Sequence, residues 1–430
     1  MSEPRLNLLA PQTADASQRR LLLGRSLIEQ GTILPWQLFH ALDRESCWDA
    51  TLAEVLQARG WIDESQKLSV VGDHLSLPRA DLEQHPPDPD LAGLLPPELC
   101  LRYNVLPWKR IGGVLILVTG RPDRASHLRS ILPDNCQGAF LAVAPEAQVS
   151  EMIVALNRPE LTLECECRVA PEFSCRTWTR RGTWQNLSLV GLALLCLALA
   201  VLYPMQLAIL LSGIAILGLF TMSSLKLLAF ATHLTRPFAS VPPSPQPPPA
   251  ILPRISVMVP LFREREIAQA LIARLSRLTY PKALLDVLIV LEEKDDVTRN
   301  TIARTRLPSW MRVVTVPGGS SGLTTKPRAL NYALDYGRGE IIGIWDAEDA
   351  PAPDQLDRVA DAFAKAPPDV ACLQGVLDYY NSRQNWLARC FTVEYATWFR
   401  LLMPGMARLG FAISRRKIAH RWVIMPLTCP

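Results

Sequence analysis

Acidic side chains follow a short apolar run in the last third of the chain. Residues 341–345 read Ile-Ile-Gly-Ile-Trp, and Asp346, Glu348 and Asp349 come directly after them. This pattern is typical of a buried parallel strand whose carboxyl end brings acids to a crevice at the edge of a sheet. Carboxylate oxygens bind Mg²⁺ or Mn²⁺, and such an ion can hold a diphosphate. We therefore predict that these three acids are metal ligands.

The region around these acids alternates strand and helix patterns. The predicted strands are 255–259, 287–291, 312–316, 341–345 and 370–373, and the predicted helices cover 267–278, 326–336 and 355–364. Strands that alternate with helices predict an α/β domain with a parallel sheet covered on both faces. A second strand is followed by Glu292, Glu293, Asp295 and Asp296, and Lys326 follows a glycine-rich loop. A single such charge is more often a solvated loop residue, but several strand ends that agree indicate a ligand crevice.

Composition excludes several classes of function. The chain has 430 residues, of which 49% are hydrophobic and 20% charged, so it is too long for one ordinary domain and too apolar to be disordered. A net charge of +4 does not favour nucleic-acid binding. The ten cysteines have no second Cys/His pair at zinc spacing, so we expect reduced thiols. The polar N-terminus has no secretory signal.

Two uncharged apolar segments, 187–203 and 206–224, are each close to the length that crosses a bilayer. The short connector between them predicts a transmembrane helical hairpin over 186–232. Basic residues flank its outer ends, which predicts that both soluble parts face the cytosol; they are Arg176, Arg180, Arg181, Lys226 and Arg236. A buried hairpin in a globular core is the alternative. Residues 237–253 contain eight prolines and predict a semi-rigid linker.

The N-terminal region contains an internal repeat with an offset of 29 residues. The first copy has Leu23, Gly24, Leu27 and Gly31, and the second has Leu52, Leu56 and Gly60. Leucines four residues apart, followed by glycine, predict a short amphipathic helix with a glycine C-cap. Farther on, the apolar runs of 105–106 and 114–118 flank two glycines, which predicts a β-hairpin.

Residues 19–156 resemble the N-terminal domain of type II secretion and pilus-assembly ATPases. In that family a repeated Leu-Gly-x-x-Leu-x-x-x-Gly-x-Ile pattern can form a cyclic di-GMP site, so the repeat residues named above are candidates for binding this regulatory nucleotide. Leu22 stands where the family's ligand-binding version has arginine, and Ala53 replaces the glycine of the second copy. A protein-docking or purely structural module is the alternative.

Residues 254–413 resemble the family-2 glycosyltransferases of the GT-A fold. The matching segments are 260–264 (Pro-Leu-Phe-Arg-Glu), 326–331 (Lys-Pro-Arg-Ala-Leu-Asn), 346–349 (Asp-Ala-Glu-Asp), Gln374 and 394–399. The order of the parts also resembles the phage adsorption protein B family of inner-membrane glycosyltransferases. The resemblance implies a multi-pass protein of the bacterial inner membrane that builds an exopolysaccharide or envelope glycan, with an outer-membrane export partner.

The resemblance also implies roles for individual residues. Asp346 with Glu348 or Asp349 would hold Mg²⁺ or Mn²⁺ against the diphosphate of a nucleotide-sugar donor, and Lys326 would neutralise charge as that diphosphate leaves. Glu264 and an acid among residues 292–296 would face the nucleoside. The other residues implied to bind substrate are Glu292, Glu293, Asn331 and Gln374. Family members invert the sugar carbon, with a carboxylate base that takes a proton from the glycan acceptor.

That base has no counterpart in the residues after Ile413. Segment 414–430 contains neither Asp nor Glu and reads as a divergent tail of a truncated or frame-shifted gene. We therefore expect weak donor binding and poor turnover, with the catalytic base unknown. The alternative is a catalytically inert scaffold, or a cyclic di-GMP-responsive component, of an envelope secretion complex.

Overall fold

The computed structural model describes residues 16–45, 48–170, 183–235, 251–264, 267–319, 322–367, 370–376, 381–411 and 421–424. The chain divides into two compact units. Unit 1 comprises residues 1–166, 247–375 and 416–427, and unit 2 comprises 167–246, 376–415 and 428–430. Most of the predicted proline-rich linker, residues 237–253, and the three arginines before the apolar segments lie outside the described residues.

The repeat forms two pairs of helices at the start of unit 1. They are α1 (Ala16–Glu29), α2 (Pro35–Glu45), α3 (Leu52–Ala58) and α4 (Glu64–His74). Gly31 and Gly60 have φ angles of 69° and 72°, in the left-handed region that glycine adopts without a Cβ penalty. The Thr32 N–H donates to Leu27 O at 2.9 Å, and the Trp61 N–H donates to Leu56 O at 3.0 Å. The predicted glycine C-caps are thus confirmed in both copies.

A small three-stranded sheet with three helices follows. The strands are β1 (Val105–Ile111), β2 (Val114–Thr119) and β3 (Phe140–Val143), and the helices are α5 (Pro97–Tyr103), α6 (Ala125–Ile131) and α7 (Glu146–Cys167). β1 pairs with β2 in antiparallel fashion and β2 with β3 in parallel. Gly112 and Gly113 turn the β1–β2 hairpin with φ angles of 58° and 82°, which confirms the predicted hairpin. The described residues up to 166 are called the N-terminal domain below.

The apolar segment of unit 2 forms α8 (Thr183–Leu202) and α9 (Pro204–Thr235), with Tyr203 alone between them. Residues Pro204–Thr232 of α9 form a helix of 29 residues with a mean hydropathy of 2.0, long and apolar enough to cross a membrane. The apolar part of α8, Asn186–Leu202, is shorter than a span. By length and composition the described residues therefore contain one candidate span, and the predicted two-helix hairpin is not established.

The C-terminal sheet of unit 1 has six strands, all paired in parallel. They are β4 (Ile255–Leu261), β5 (Leu285–Glu292), β6 (Met311–Val316), β7 (Ile341–Ile344), β8 (Cys372–Gln374) and β9 (Arg421–Ile424), in the order β6-β5-β4-β7-β9-β8. The connecting helices are α10 (Ile267–Ser276), α11 (Asp296–Ala303), α12 (Lys326–Ala333) and α13 (Gln355–Lys365). The predicted parallel α/β sheet is confirmed. Strand β9 was not predicted, since it lies within the segment read as a divergent tail.

Both faces of the C-terminal sheet are covered in part by the N-terminal domain. Val257 and Ile289 face a core that also contains Leu27, Leu52 and Leu56 from the repeat. Residues of the opposite face of β4 and β5, with their partners from the N-terminal domain, form a second core; they include Met258, Leu288 and Val290 with Val105, Leu106 and Val149. Because side chains alternate along a strand, the two cores lie on opposite faces. The N-terminal domain and the C-terminal sheet therefore share their hydrophobic cores.

Unit 2 ends in a short helical segment packed against α9. It consists of α14 (Trp386–Thr397), a π-helical turn (Trp398–Leu402) and α15 (Met403–Arg408). Gly405 of α15 lies so close to Ala229 of α9 that a Cβ at position 405 would collide with the Ala229 backbone. Arg408 donates from Nη1 to Thr232 O at 3.0 Å. Small residues thus allow the close approach of α15 to the apolar helix.

Candidate functional site

Lys326 and Asp346 meet at the carboxyl edge of the C-terminal sheet. Lys326 is the first residue of α12, and Asp346 lies two residues beyond the end of β7. The Lys326 ammonium contacts Asp346 Oδ1, and each side chain is 48% exposed. β7 is held beside β4 by the parallel ladder, which the Trp345 N–H extends by donating to Met258 O at 3.1 Å. The strand geometry therefore presents a cation and a carboxylate together to solvent.

The acids after β7 form a tight turn. The Asp346 N–H donates to Asp349 Oδ2 at 2.8 Å, and the Asp349 N–H donates to Asp346 O at 3.1 Å. Burial, together with the negative charges of Asp346 and Glu348, raises the pKa of Asp349 to about 6. The turn thus concentrates negative charge that a bound cation would stabilise.

Arg274 of α10 holds this turn in place through hydrogen bonds to its backbone carbonyls. Its Nη1 donates to Glu348 O at 2.6 Å and to Asp349 O at 3.1 Å, and its Nη2 donates to Ala347 O at 2.8 Å. Sequence reasoning missed Arg274, because a side chain that binds backbone carbonyls leaves no motif in the acceptor residues. Its position in the last turn of an amphipathic helix is the only signal that it offers.

The predicted metal ligands fit a divalent ion by their chemistry but do not converge. Asp346, Glu348 and Asp349 present carboxylate oxygens, which are the ligands that Mg²⁺ and Mn²⁺ prefer. In the described part of the chain, the acids whose oxygens lie within 4.8 Å of one another are instead Glu98, Glu164 and Asp335. In the turn, the Asp349 carboxylate accepts from the Asp346 N–H, and the Glu348 side chain is exposed.

A cleft of about 640 Å³ lies beside the ends of β4 and β5. Its lining residues are Phe262, Arg263, Lys294, Asp295, Asp296, Val297, Gly322 and Thr324. Among the acids of 292–296, the ones that line this cleft are therefore Asp295 and Asp296. A cleft of this size suits one small ligand.

Asp295 shapes the wall of this cleft. It is buried, and its Oδ2 accepts from the Arg263 N–H at 2.6 Å and from Thr298 Oγ1 at 2.6 Å. Burial alone would raise the pKa of Asp295, but these hydrogen bonds hold it below its usual value. Arg263 has a φ of 58°, a left-handed backbone conformation that residues other than glycine rarely adopt. The next residue, Glu264, donates its N–H to Thr298 Oγ1 at 2.9 Å.

Glu292 and Glu293 are engaged by neighbouring elements. Buried Glu292 accepts from Arg328 Nη1 at 3.2 Å, and burial raises its pKa. Glu293 accepts from the Gly318 N–H at 2.8 Å and from Arg158 Nη2 at 2.6 Å, which hold its pKa below the usual value. In the structure, these two acids hold α12 and α7 at the sheet. Their contact with a nucleoside stays a prediction.

The remaining predicted residues are dispersed. Asn331 donates from Nδ2 to Cys165 O at 3.1 Å, and Gln374 is the last residue of β8. In the repeat, Leu27, Leu52 and Leu56 lie in the core, with at most 2% of each exposed. The structure thus gives those three leucines a role in packing, and the part of the repeat in binding a nucleotide stays a prediction. Leu23 is partly buried against the same core, and an added Cβ on Gly24 would lie 2.5 Å from Leu38.

Two parts of the chain match protein families. Residues 75–163 match the MshEN domain, and residues 253–416 match the family described as glycosyltransferase like family 2. The MshEN match begins after the internal repeat.

Among similar proteins is the beta-monoglucosyldiacylglycerol synthase of Trichormus variabilis, 26% identical over 166 residues, which cover 37% of this chain and 34% of that protein. The chain thus spans about a third of the length of this relative. One similar structure is that of MshE with cdg, 30% identical with a TM-score of 0.27, covering 32% of this chain and 96% of that one. Another is the mannosyltransferase PcManGT of Pyrobaculum calidifontis in complex with GDP-Man and Mn²⁺, 25% identical with a TM-score of 0.30, covering 39% and 47%.

Proposed function

We propose that this chain, which combines an MshEN domain with a family-2 glycosyltransferase domain, transfers a sugar from a nucleotide-diphosphate sugar to a glycan at the bacterial inner membrane. The observation that carries the proposal is the contact of Lys326 with Asp346 at the edge of the parallel sheet. Ligands of open α/β sheets bind in the crevice outside the carboxyl ends of the strands. The cleft lined by Asp295 and Asp296 lies at that same edge.

The residues of the crevice suit the departure of a nucleoside diphosphate. The Lys326 ammonium is partly exposed and would stabilise the negative charge that develops on the leaving phosphate. The acids beside β5 could accept hydrogen bonds from ribose or base groups of the nucleoside. Arg274 would keep the Asp346–Asp349 turn in place while the charge on the ligand changes.

Asp346, Glu348 and Asp349 would hold a divalent ion, which when bound neutralises diphosphate charge. Burial, and after it the negative charges of Asp346 and Glu348, raise the pKa of Asp349, and a bound cation would offset both effects. Inversion at the sugar carbon and an exopolysaccharide or envelope glycan as product belong to the proposal through the family resemblance.

A membrane location is part of the same proposal. It is supported by α9, the one helix among the described residues that is long and apolar enough to cross a membrane, whose side chains in the 204–232 span are almost all exposed. An apolar helix that leaves most of its side chains uncovered by protein is accounted for by lipid. The soluble domains would then face the cytosol, where nucleotide sugars are available.

The test compares Asp346→Asn with Asp361→Asn in isolated membranes that contain the full chain. Asp361 is a matched control, because its side chain is also 48% exposed and also pairs with a lysine. We expect transfer of radiolabelled sugar from one of UDP-glucose, UDP-N-acetylglucosamine or GDP-mannose to decrease about a hundredfold in Asp346→Asn and to be unchanged in Asp361→Asn. Equal transfer by both variants would refute catalysis at this crevice.

The second candidate function is an inert scaffold, or a cyclic di-GMP-responsive component, of an envelope secretion complex. The MshEN match favours it, and so do the exposed left-handed glycines Gly31 and Gly60, which leave the backbone open to a ligand. In that case secretion would survive Asp346→Asn although sugar transfer is absent. Saturable binding in equilibrium dialysis with cyclic di-GMP would support the regulatory role, and no binding would exclude it.

A further inference from the structure

A second cavity, of about 760 Å³, lies in unit 1 between the N-terminal domain and the amino ends of β4 and β7. Its wall is rich in basic side chains: Arg102, Arg121, Arg124, His127, Arg254 and Arg338. The acidic side chains in the same wall are Asp49 and Glu340. Since β4 and β7 carry the proposed transferase site at their other ends, this cavity is separate from that site.

One buried carboxylate, that of Glu54, binds three of these arginines. Glu54 accepts from Arg121 Nη2 at 2.7 Å and from Arg124 Nη2 and Arg254 Nη2 at 2.8 Å each. Burial alone would raise the pKa of Glu54, but the guanidinium groups of Arg254, Arg121 and Arg124 hold it well below its usual value. Asp49 pairs with Arg124, and the buried carboxylate of Asp123 lies close to Arg121. These acids hold the guanidinium groups in place around the cavity.

Arg338 adds an unsatisfied donor to this wall. Its Nη2 contacts Glu146, while its Nε is buried and has no hydrogen-bond partner among the described residues. Burial, and after it the positive charge of Arg121, lowers the pKa of the Arg338 guanidinium. A buried N–H without an acceptor costs free energy, which an anionic ligand in the cavity would recover.

We propose that this cavity binds a small soluble anion that carries phosphate groups. The planar guanidinium fork matches the oxygens of a phosphate, and several forks around one cavity suit a diphosphate better than a single carboxylate. The volume is that of a site for one small molecule. Arg254 comes directly before β4, and Arg338 lies three residues before β7. The ligand would therefore connect the N-terminal domain with the two strands that carry the transferase site.

The test is calorimetric titration of the full chain in detergent with inorganic diphosphate, at constant ionic strength. Because Arg121, Arg124 and Arg254 hold buried Glu54, their removal would confound binding with unfolding. We therefore choose Arg102→Gln and Arg338→Lys, the second of which keeps the charge but removes the fork. Each should weaken diphosphate binding about ten- to hundredfold, with an unchanged melting temperature.

One control assigns the binding to the cavity. Arg25→Gln removes the same charge from an exposed ion pair with Glu29 and should bind diphosphate as tightly as the unaltered chain. The proposal is overturned if the unaltered chain does not bind at millimolar diphosphate, or if the cavity variants bind normally. None of these outcomes depends on sugar transfer, so failure here and failure of the proposed function can be told apart.

Discussion

At the scale of single residues, the site depends on side chains that hold backbone in place. Arg274 holds the turn after β7, and Asp295 holds the turn after β4. Neither side chain needs to touch a substrate to matter, because a shift of the loop by about 1 Å already reduces the rate of the reaction.

Arg274→Gln should therefore reduce sugar transfer about ten- to hundredfold, since three charge-assisted hydrogen bonds to the turn are lost. The protein should stay folded, because the side chain is only half-buried. Arg277→Gln, three residues along and exposed, is the control and should keep full activity. Steady-state kinetics on both variants measure the difference. Equal activity of the two variants would show that the turn needs no external support.

At the scale of elements, the start of β7 must approach β4 very closely. Gly339 donates its N–H to Ser256 Oγ at 2.8 Å, and a Cβ at position 339 would lie 2.3 Å from Ser256 N. Ser256 N is a backbone atom, so it cannot move aside as the end of a flexible side chain could.

Gly339→Ala should consequently destabilise the fold by about 1–3 kcal/mol, the usual cost of overpacking. Gly138→Ala is the matched control, since a Cβ at position 138 meets no atom within 4 Å. Thermal unfolding in detergent measures both variants. A melting temperature of Gly339→Ala equal to that of the control would mean that β4 and β7 lie farther apart than described.

At the scale of the whole molecule, the N-terminal domain is part of the same folding unit as the C-terminal sheet. Two hydrophobic cores cross the boundary, and buried Arg254 pairs with Glu54 across it. We expect both parts of unit 1 to unfold in one cooperative transition. Hydrogen exchange followed by mass spectrometry should show equal opening free energies for β1–β3 and for β4–β7. Clearly separate values would show two independent domains.

Glu54 makes this cohesion sensitive to acid. Its folded pKa is lowered, so the stability that it contributes is complete above its usual pKa of 4.5 and is lost as the pH falls through the lower folded value. Glu54→Gln leaves three arginines without their counter-charge and should cost about 3–5 kcal/mol at neutral pH. It should also flatten the acid limb of the stability profile. Glu29→Gln, in an exposed pair, should change neither property.

Much of the fold was predictable because the signals are local. The predicted strands 287–291 and 312–316 lie within the observed Leu285–Glu292 and Met311–Val316, since buried parallel strands are continuous apolar runs. Lys326 and Asp346 were placed at one crevice because the carboxyl ends of parallel strands meet at one edge. Strand β9 was missed, because four residues after a charged segment are too short a pattern to predict a strand. Their place between β7 and β8 depends on pairing with residues far away in the chain.

The amino-acid sequence by itself determined the order of strands and helices, the glycine caps of the repeat and the acids at the strand ends, because each follows from residues close together in the chain. Only the tertiary structure decided that Arg274 supports the acidic turn, that the repeat leucines belong to a shared core, and that arginines from two domains surround one cavity. Those relations join residues tens to hundreds of positions apart. The spacing of polar and apolar residues along the chain does not identify such tertiary partners, since another residue of similar size and polarity would give the same local pattern.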